Sequence, residues 1–114
     1  MLAANYDITL DRSVPYAFTL TINTVDGVLN FDPLTYDFVG HIRDAETKIK
    51  VAQFVFSVPE PTLGAVLISL TEQVTDTFRG GTDAYEYDII MDLEGVKRRL
   101  LFGTISVRTQ VTNI

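Results

Sequence analysis

Two alternating runs around a short glycine turn, near the carboxyl end of the chain, constrain the fold most. From Tyr85 to Asp92, apolar side chains alternate with mostly acidic ones, the period of two that is typical of a half-buried strand. After Leu93-Glu94-Gly95, a second run begins at Lys97 and alternates as far as Val111. Two such runs around a turn that contains glycine predict a β-hairpin, the firmest local prediction in the chain.

The same alternation predicts further strands upstream of the hairpin. They are expected at residues 5–11, 16–22, 28–31, 38–43, 48–58 and 65–70. Thr71 is a credible N-cap and Leu70, Val74 and Phe78 are spaced by four, which predicts one or two helical turns over residues 71–78. No predicted helix is long enough to connect parallel strands. The predicted fold class is therefore all-β, an antiparallel immunoglobulin-like β-sandwich of about seven strands in a single domain over residues 1–114.

The segment from Asp83 to Ile89 favours an immunoglobulin-like framework. In such sandwiches a Tyr near the start of strand F fixes the corner at which the chain crosses between sheets. Tyr87 lies four residues after Asp83 and two before Ile89, where an antibody domain has a Cys. The chain contains neither Trp nor Cys, so only the framework is shared, and Tyr87 is expected to be buried.

Charge and composition exclude several classes of function. The formal net charge is -6, which argues against nucleic acid or an anionic membrane as partner, because both require clustered Lys and Arg. Without cysteine there is no disulfide and no thiolate site. The amino terminus lacks the features of a signal peptide, and no apolar run reaches the length of a membrane span. We therefore expect synthesis in the cytoplasm.

Few residues could carry catalytic chemistry. His41, the only histidine, lies on a predicted strand, and no serine occupies a strained elbow beside which it could serve as a base. We interpret it as a strand residue. One His and no Cys leave only oxygen ligands for a metal. The sequence thus predicts no enzyme activity, no catalytic residue, no metal site and no cofactor.

Acidic side chains cluster on or beside the hairpin, at Asp83, Glu86, Asp88, Asp92 and Glu94. Paired carboxylates can hydrolyse glycosides, and carboxylate oxygens can bind calcium. An acidic, solvated strand face that opposes aggregation is the favoured interpretation, with Lys97 and Arg99 pairing to it across the hairpin.

The three consecutive residues Phe54-Val55-Phe56 are all apolar, so a strand formed by them would be apolar on both faces. An ordinary sandwich leaves one face of each sheet in water, so this run predicts a strand covered on both faces or placed next to a partner chain. Phe54, Val55 and Phe56 are therefore the predicted interaction surface, used either in a homo-oligomer or for docking to a larger protein. A crossing loop over the same face is the alternative.

Several motifs together resemble the small immunoglobulin-like domains of tailed-bacteriophage structural proteins, of the baseplate upper protein type. They are Asp26-Gly27, Gly40–Arg43, Leu67–Val74, Gly80-Gly81, Tyr85–Ile89, Asp92–Gly95, Leu100–Val107 and Val111-Thr112. The resemblance implies a non-enzymatic virion or tail-associated structural role, with other virion proteins and possibly further copies of the chain as partners. It also implies a location first in the host cytoplasm and then in the virion. It carries over no catalytic or ligand residue.

A carbohydrate-binding or adhesin-type β-sandwich is the alternative function. Such a module needs aromatic side chains exposed on one sheet face, and Tyr36 or Phe54 could supply them. Trp, the commonest platform residue, is absent.

Overall fold

The structure, a computed structural model, describes residues 3–24, 27–32 and 34–109. Two β-sheets pack face to face, and a small hairpin lies beside them. The strands are β1 (Ala4–Asn5), β2 (Ile8–Asp11), β3 (Tyr16–Thr21), β4 (Asn23–Thr24), β5 (Gly27–Val28), β6 (Tyr36–Asp44), β7 (Lys50–Gln53), β8 (Val55–Ser57), β9 (Ala65–Leu70), β10 (Gly81–Leu93) and β11 (Val96–Arg108). A 3-10 turn covers Pro61–Leu63, and a short helix, α1, covers Glu72–Thr75.

The strand order is that of an immunoglobulin-like sandwich. The large sheet has the order β1-β11-β10-β6-β7, with β2 also pairing with β11, and the small sheet has the order β3-β9-β8. In immunoglobulin terms the large sheet contains strands G, F, C and C′, and the small sheet contains B, E and D, as in variable-type domains. Most neighbours are antiparallel, but β1 and β2 run parallel to β11. The predicted fold class is confirmed.

The predicted hairpin is present as β10 and β11. Its loop consists of Glu94 (φ 52°) and Gly95 (φ 82°), between the paired residues Leu93 and Val96. Two consecutive positive φ angles define the turn whose twist matches that of the flanking strands. The register shifts between Ile89 and Ile90.

The corner before β10 confirms the predicted helical turn and corrects the tyrosine assignment. Thr71 caps α1, because its side chain accepts a hydrogen bond from Val74 N at 3.3 Å. Tyr85 makes the corner contact, since its hydroxyl accepts a hydrogen bond from Arg79 N at 2.8 Å. Tyr87 is buried, as predicted, but it stands two residues later, at the position that a Cys takes in antibody domains. The spacing in the sequence had assigned the corner to Tyr87, because Tyr85 and Tyr87 lie on the same face of the strand.

The predicted strand over residues 48–58 is in fact two strands in different sheets. β7 pairs with β6 in the large sheet, and β8 pairs with β9 in the small one. Phe54 lies between them at the crossing and is only 4% exposed. Its backbone N–H donates to Gly40 O at 2.9 Å. The apolar run therefore does not mark a single strand covered on both faces, because the chain changes sheets in the middle of it.

The first predicted strand, residues 5–11, is also divided. β1 and β2 are separated at Tyr6 and Asp7, so Ile8 and Leu10 reach the core while Tyr6 stays 44% exposed. The predicted short strand at 28–31 is reduced to Gly27–Val28, which pairs with Asn23–Thr24. Asp26, Pro33 and the end of the second hairpin run at Val111 lie outside the described residues.

Candidate interaction surface

The three residues of the predicted interaction surface have three different environments. Phe54 is in the core, with its ring edge-on to the ring of Tyr87 at a centroid distance of 5.5 Å. Phe56 points inward from β8 and stacks on Phe38, with the centroids 5.4 Å apart. Val55 points outward and is 54% exposed. Of the three, Val55 is therefore the residue that an approaching protein would touch first.

Val55 belongs to a sheet face without charge. Along each strand, successive side chains point to opposite faces of the sheet. Every second residue therefore points into the core, and the residues between them form the outer face. On the small sheet, pairing places Val55 beside Ser69 and Ser57 beside Leu67, while β3 adds residues of the same parity. We call this set the uncharged face: Ala17, Thr19, Thr21, Val55, Ser57, Ala65, Leu67 and Ser69.

The outer face of the large sheet is charged. Asp88 lies between two guanidinium groups, 4.0 Å from Arg43 Nη1 and 3.8 Å from Arg99 Nη2. Glu86 accepts a hydrogen bond from Lys48 Nζ at 2.8 Å. The Arg99 guanidinium also lies over the ring of Phe102, 4.8 Å from its centroid. These pairs agree with the interpretation of the acidic cluster as a solvated face with cross-strand partners, and they confirm the predicted pairing of Arg99.

A shallow groove of about 350 Å³ runs over this charged face beside Asp88. Its charged lining residues are Glu86, Asp88, Arg43 and Arg99, each of which belongs to an ion pair just described. Opposite charges that already neutralise one another leave little electrostatic attraction for an added ion. The groove therefore does not single out a small-molecule class.

Two other carboxylates of the cluster, those of Asp83 and Glu94, accept hydrogen bonds. Asp83 accepts a hydrogen bond from Thr104 Oγ1 at 2.8 Å, and its own N–H donates to Ser106 Oγ at 2.9 Å. Asp83 has a φ of 51° beside the register shift between Gly81 and Tyr85. Glu94 accepts from Thr35 N at 3.3 Å. These contacts fix an irregular strand start and a loop.

His41 lies on the charged face directly opposite Asp88. Its pKa is lowered mainly by removal from water and further by the positive charges of Lys50 and Arg43, while Asp88 acts in the opposite direction. Within the described ranges, no three His, Asp or Glu side chains are grouped so as to hold a metal ion. In the same part of the chain, no helix is long and apolar enough to span a membrane.

The alternative sugar-binding function loses one of its two candidate aromatics. Phe54 cannot stack on an exposed ligand, because it is buried. Tyr36 is 37% exposed, but its ring packs against Phe31 and Phe38 at centroid distances of 4.8 and 6.0 Å. These two contacts occupy part of the ring surface that a bound sugar would need.

Of the eight members of the uncharged face, only Val55 was predicted from the sequence as an interaction residue. A signal was present in the outward parities of 16–22 and 65–70, which contain only Ala, Thr, Ser and Leu. Their significance depends on β3, β8 and β9 being neighbours, and strand order is a tertiary property.

The similarity of this chain to known proteins is confined to solved structures. No protein-family model matches the chain, and no curated protein matches it. Among the solved structures that are similar is one titled Tim-1, with 8% sequence identity, covering 99% of this chain and 100% of that chain, at a TM-score of 0.49. Identity and TM-score at this level do not establish a shared function.

Proposed function

We propose that this chain is a non-enzymatic protein-interaction module that acts as a structural part of a larger assembly, through the uncharged face. The observation that carries the proposal is a complete sheet face without a charged side chain on a chain of net charge -6. Protein surfaces are roughly a quarter to a third charged, whereas the centres of protein interfaces are depleted of charge. Docking there would not require removing an ion from water.

The assembly we propose is the tail or baseplate of a bacteriophage virion. The sequence resemblance to immunoglobulin-like domains of phage structural proteins supports this. The partners would be other virion proteins and further copies of the chain. The protein would be made in the host cytoplasm and then incorporated into the virion.

Co-expression with the proteins encoded beside its gene tests the proposal. We expect a complex that co-sediments with this chain and that Val55→Lys weakens at least tenfold, about 1.4 kcal/mol. Val96→Lys is the matched control, since Val96 at the hairpin end is 52% exposed, close to the value for Val55. Equal loss in both variants would indicate a non-specific effect of charge.

Failure to form any complex with neighbouring structural proteins would contradict the phage assignment. Retained binding by Val55→Lys, with binding lost on changing the charged face, would contradict the choice of surface. Both variants should fold, because exposed substitutions of this kind change stability by about 0.5 kcal/mol or less.

A further inference from the structure

The free edge of β3 is a strand edge without the usual protection. An edge strand displays a row of unpaired backbone N–H and C=O groups, and proteins shield such rows with short strands, charges, prolines or bulges. β3 pairs with β9 over six consecutive residues without a register shift. It contains no charged residue and no proline. In the described part of the chain, the structure gives its backbone no hydrogen-bond partner other than β9.

The other edges of the two main sheets are all protected. β7 begins with Lys50, spans four residues and has a register shift against β6. β8 spans only three residues. The edge formed by β1 and β2 is interrupted at Tyr6 and Asp7. The exception at β3 therefore stands out against three edges that follow the rule.

The core side of β3 is also incompletely covered. Its inward residues Tyr16, Phe18 and Leu20 are each only partly buried. Their partners on β9, in the same order Leu70, Ile68 and Val66, are 2%, 0% and 0% exposed. Tyr6 packs on Phe18 with the ring centroids 5.5 Å apart, yet apolar surface remains accessible along this edge. A strand added beside β3 would gain backbone hydrogen bonds and would also bury these rings.

We infer that β3 pairs with β3 of a second copy, antiparallel, so that the two small sheets become one continuous sheet. A two-fold axis perpendicular to the sheet keeps each face on its own side. The half-covered inward residues of both copies then meet, and so do the outward threonines. Threonine pairs across strands are favourable, and an isologous contact of this kind closes at two subunits.

The composition of β3 permits a second copy as the occupant. Each copy has a formal net charge of -6, which opposes association at long range, but residues 16–21 carry no charge, so the contact itself brings no like charges together. The strand is complementary to its own copy, because it presents half-covered inward residues and outward threonines on both sides of the two-fold axis. The inference rests on the proposed function, in which copies of the chain are among the partners, and it names the strand through which they would meet.

Self-association of the isolated chain tests the inference, because no other protein is present. Analytical ultracentrifugation over a range of concentrations should show a monomer–dimer equilibrium. Thr19→Lys should shift it to higher concentration by about fivefold or more, since two like charges would then face each other across the new pair. Thr9→Lys, the same substitution on the protected edge strand β2, should behave as the wild type.

Backbone amide hydrogen exchange identifies the strand directly. We expect slower exchange in residues 16–21 at high concentration than at low concentration, with no such change in β7. A wild type that stays monomeric at the highest concentration attainable would overturn the inference, and so would a dimer whose protection lies elsewhere. If Thr19→Lys fails to fold by circular dichroism, Ala17→Lys replaces it.

These results separate the inference from the proposed function. A monomeric chain that still binds a neighbouring structural protein through Val55 would refute pairing at β3 and leave the function intact. A dimer that forms normally in Val55→Lys, with no complex in co-expression, would support pairing and contradict the wider role.

Discussion

The ring of Phe54 covers Gly40 so closely that a Cβ added to the glycine would lie 2.8 Å from Phe54 Cδ2. Gly40 is on β6, opposite Ile89, and β6 is the strand that provides the buried Trp in antibody domains. Here the large ring beside Gly40 comes from Phe54, at the crossing between β7 and β8. Phe54 and Gly40 thus form a complementary pair in the centre of the sandwich.

From this pair we expect two substitutions to lower the stability of the fold by different amounts. Phe54→Ala should lower the free energy of unfolding by about 3–5 kcal/mol, because it leaves a cavity the size of a phenyl ring. Gly40→Ala should lower it by about 1–3 kcal/mol through overpacking, since the added methyl would also lie 2.9 Å from Phe56 Cζ. Urea denaturation of both variants measures these values. Wild-type midpoints in both would show that the ring does not occupy this space.

The tyrosine corner predicts a smaller and more local effect. Tyr85→Phe keeps the buried ring, which packs against Phe78 at a centroid distance of 4.7 Å, but it removes the acceptor of the Arg79 N–H. The expected loss is about 1 kcal/mol, the net value of one hydrogen bond. Thermal unfolding provides the measurement, and Tyr36→Phe, on an exposed residue, is the control. An equal loss in both variants would assign no special role to the corner.

Tyr87 predicts a large loss on truncation. Its ring is buried and its hydroxyl donates to Tyr6 O; burial also raises the pKa of that hydroxyl. Tyr87→Ala should therefore cost on the order of 3 kcal/mol or more. Coinciding denaturation midpoints of the variant and the wild type would contradict the observed packing.

Asp44 predicts an acid-dependent contribution to stability. The Arg79 guanidinium, which donates to it at 3.1 and 3.2 Å, and the backbone N–H groups of Glu46 and Thr47 lower its pKa from 3.8 to about 2. A lowered folded-state pKa means that the contribution is present above about pH 4 and is lost as the pH falls towards 2.

Asp44→Asn carries no titrating group at this position. Its deficit in stability relative to the wild type should therefore be full at pH 6 and should shrink between about pH 4 and pH 2. Glu60→Gln, on an exposed loop residue, is the control. A deficit that stays constant over this range would show that the carboxylate charge is not involved.

For Asp88 we expect mutation to have only a small effect on stability. The distances of 4.0 and 3.8 Å to Arg43 and Arg99 join partly exposed groups, and pairs of this kind contribute about 0–1 kcal/mol. Asp88→Asn should cost less than about 1 kcal/mol, and the cost should fall with added salt. Loss of a hydrolytic activity or of bound metal in this variant, with the fold intact, would contradict the non-enzymatic proposal.

Local features of this fold could be predicted from the sequence, because they depend on short-range chemistry. Gly95 at the hairpin, Thr71 at the helix start and the inward parity of Ile89 are of this type. The crossing at Phe54 could not be predicted, since a run that is apolar in both parities fits a strand covered on both sides equally well. The corner was assigned two residues late because Tyr85 and Tyr87 share a face. The uncharged face could not be predicted either, because its residues come together only when β3 and β8 are known to be the neighbours of β9.

The parallel pairing of β1 and β2 with β11 bears on how this domain would withstand force. Ala4 lies beside Leu101, and Asp11 lies beside Arg108, so tension applied near residues 3 and 109 pulls the paired strands lengthwise past each other. The hydrogen bonds between them are then loaded together, whereas an antiparallel hairpin pulled at its open end separates one bond at a time. Pulling from these two points by single-molecule force spectroscopy should therefore require more force than pulling apart β10 and β11 at residues 81 and 107.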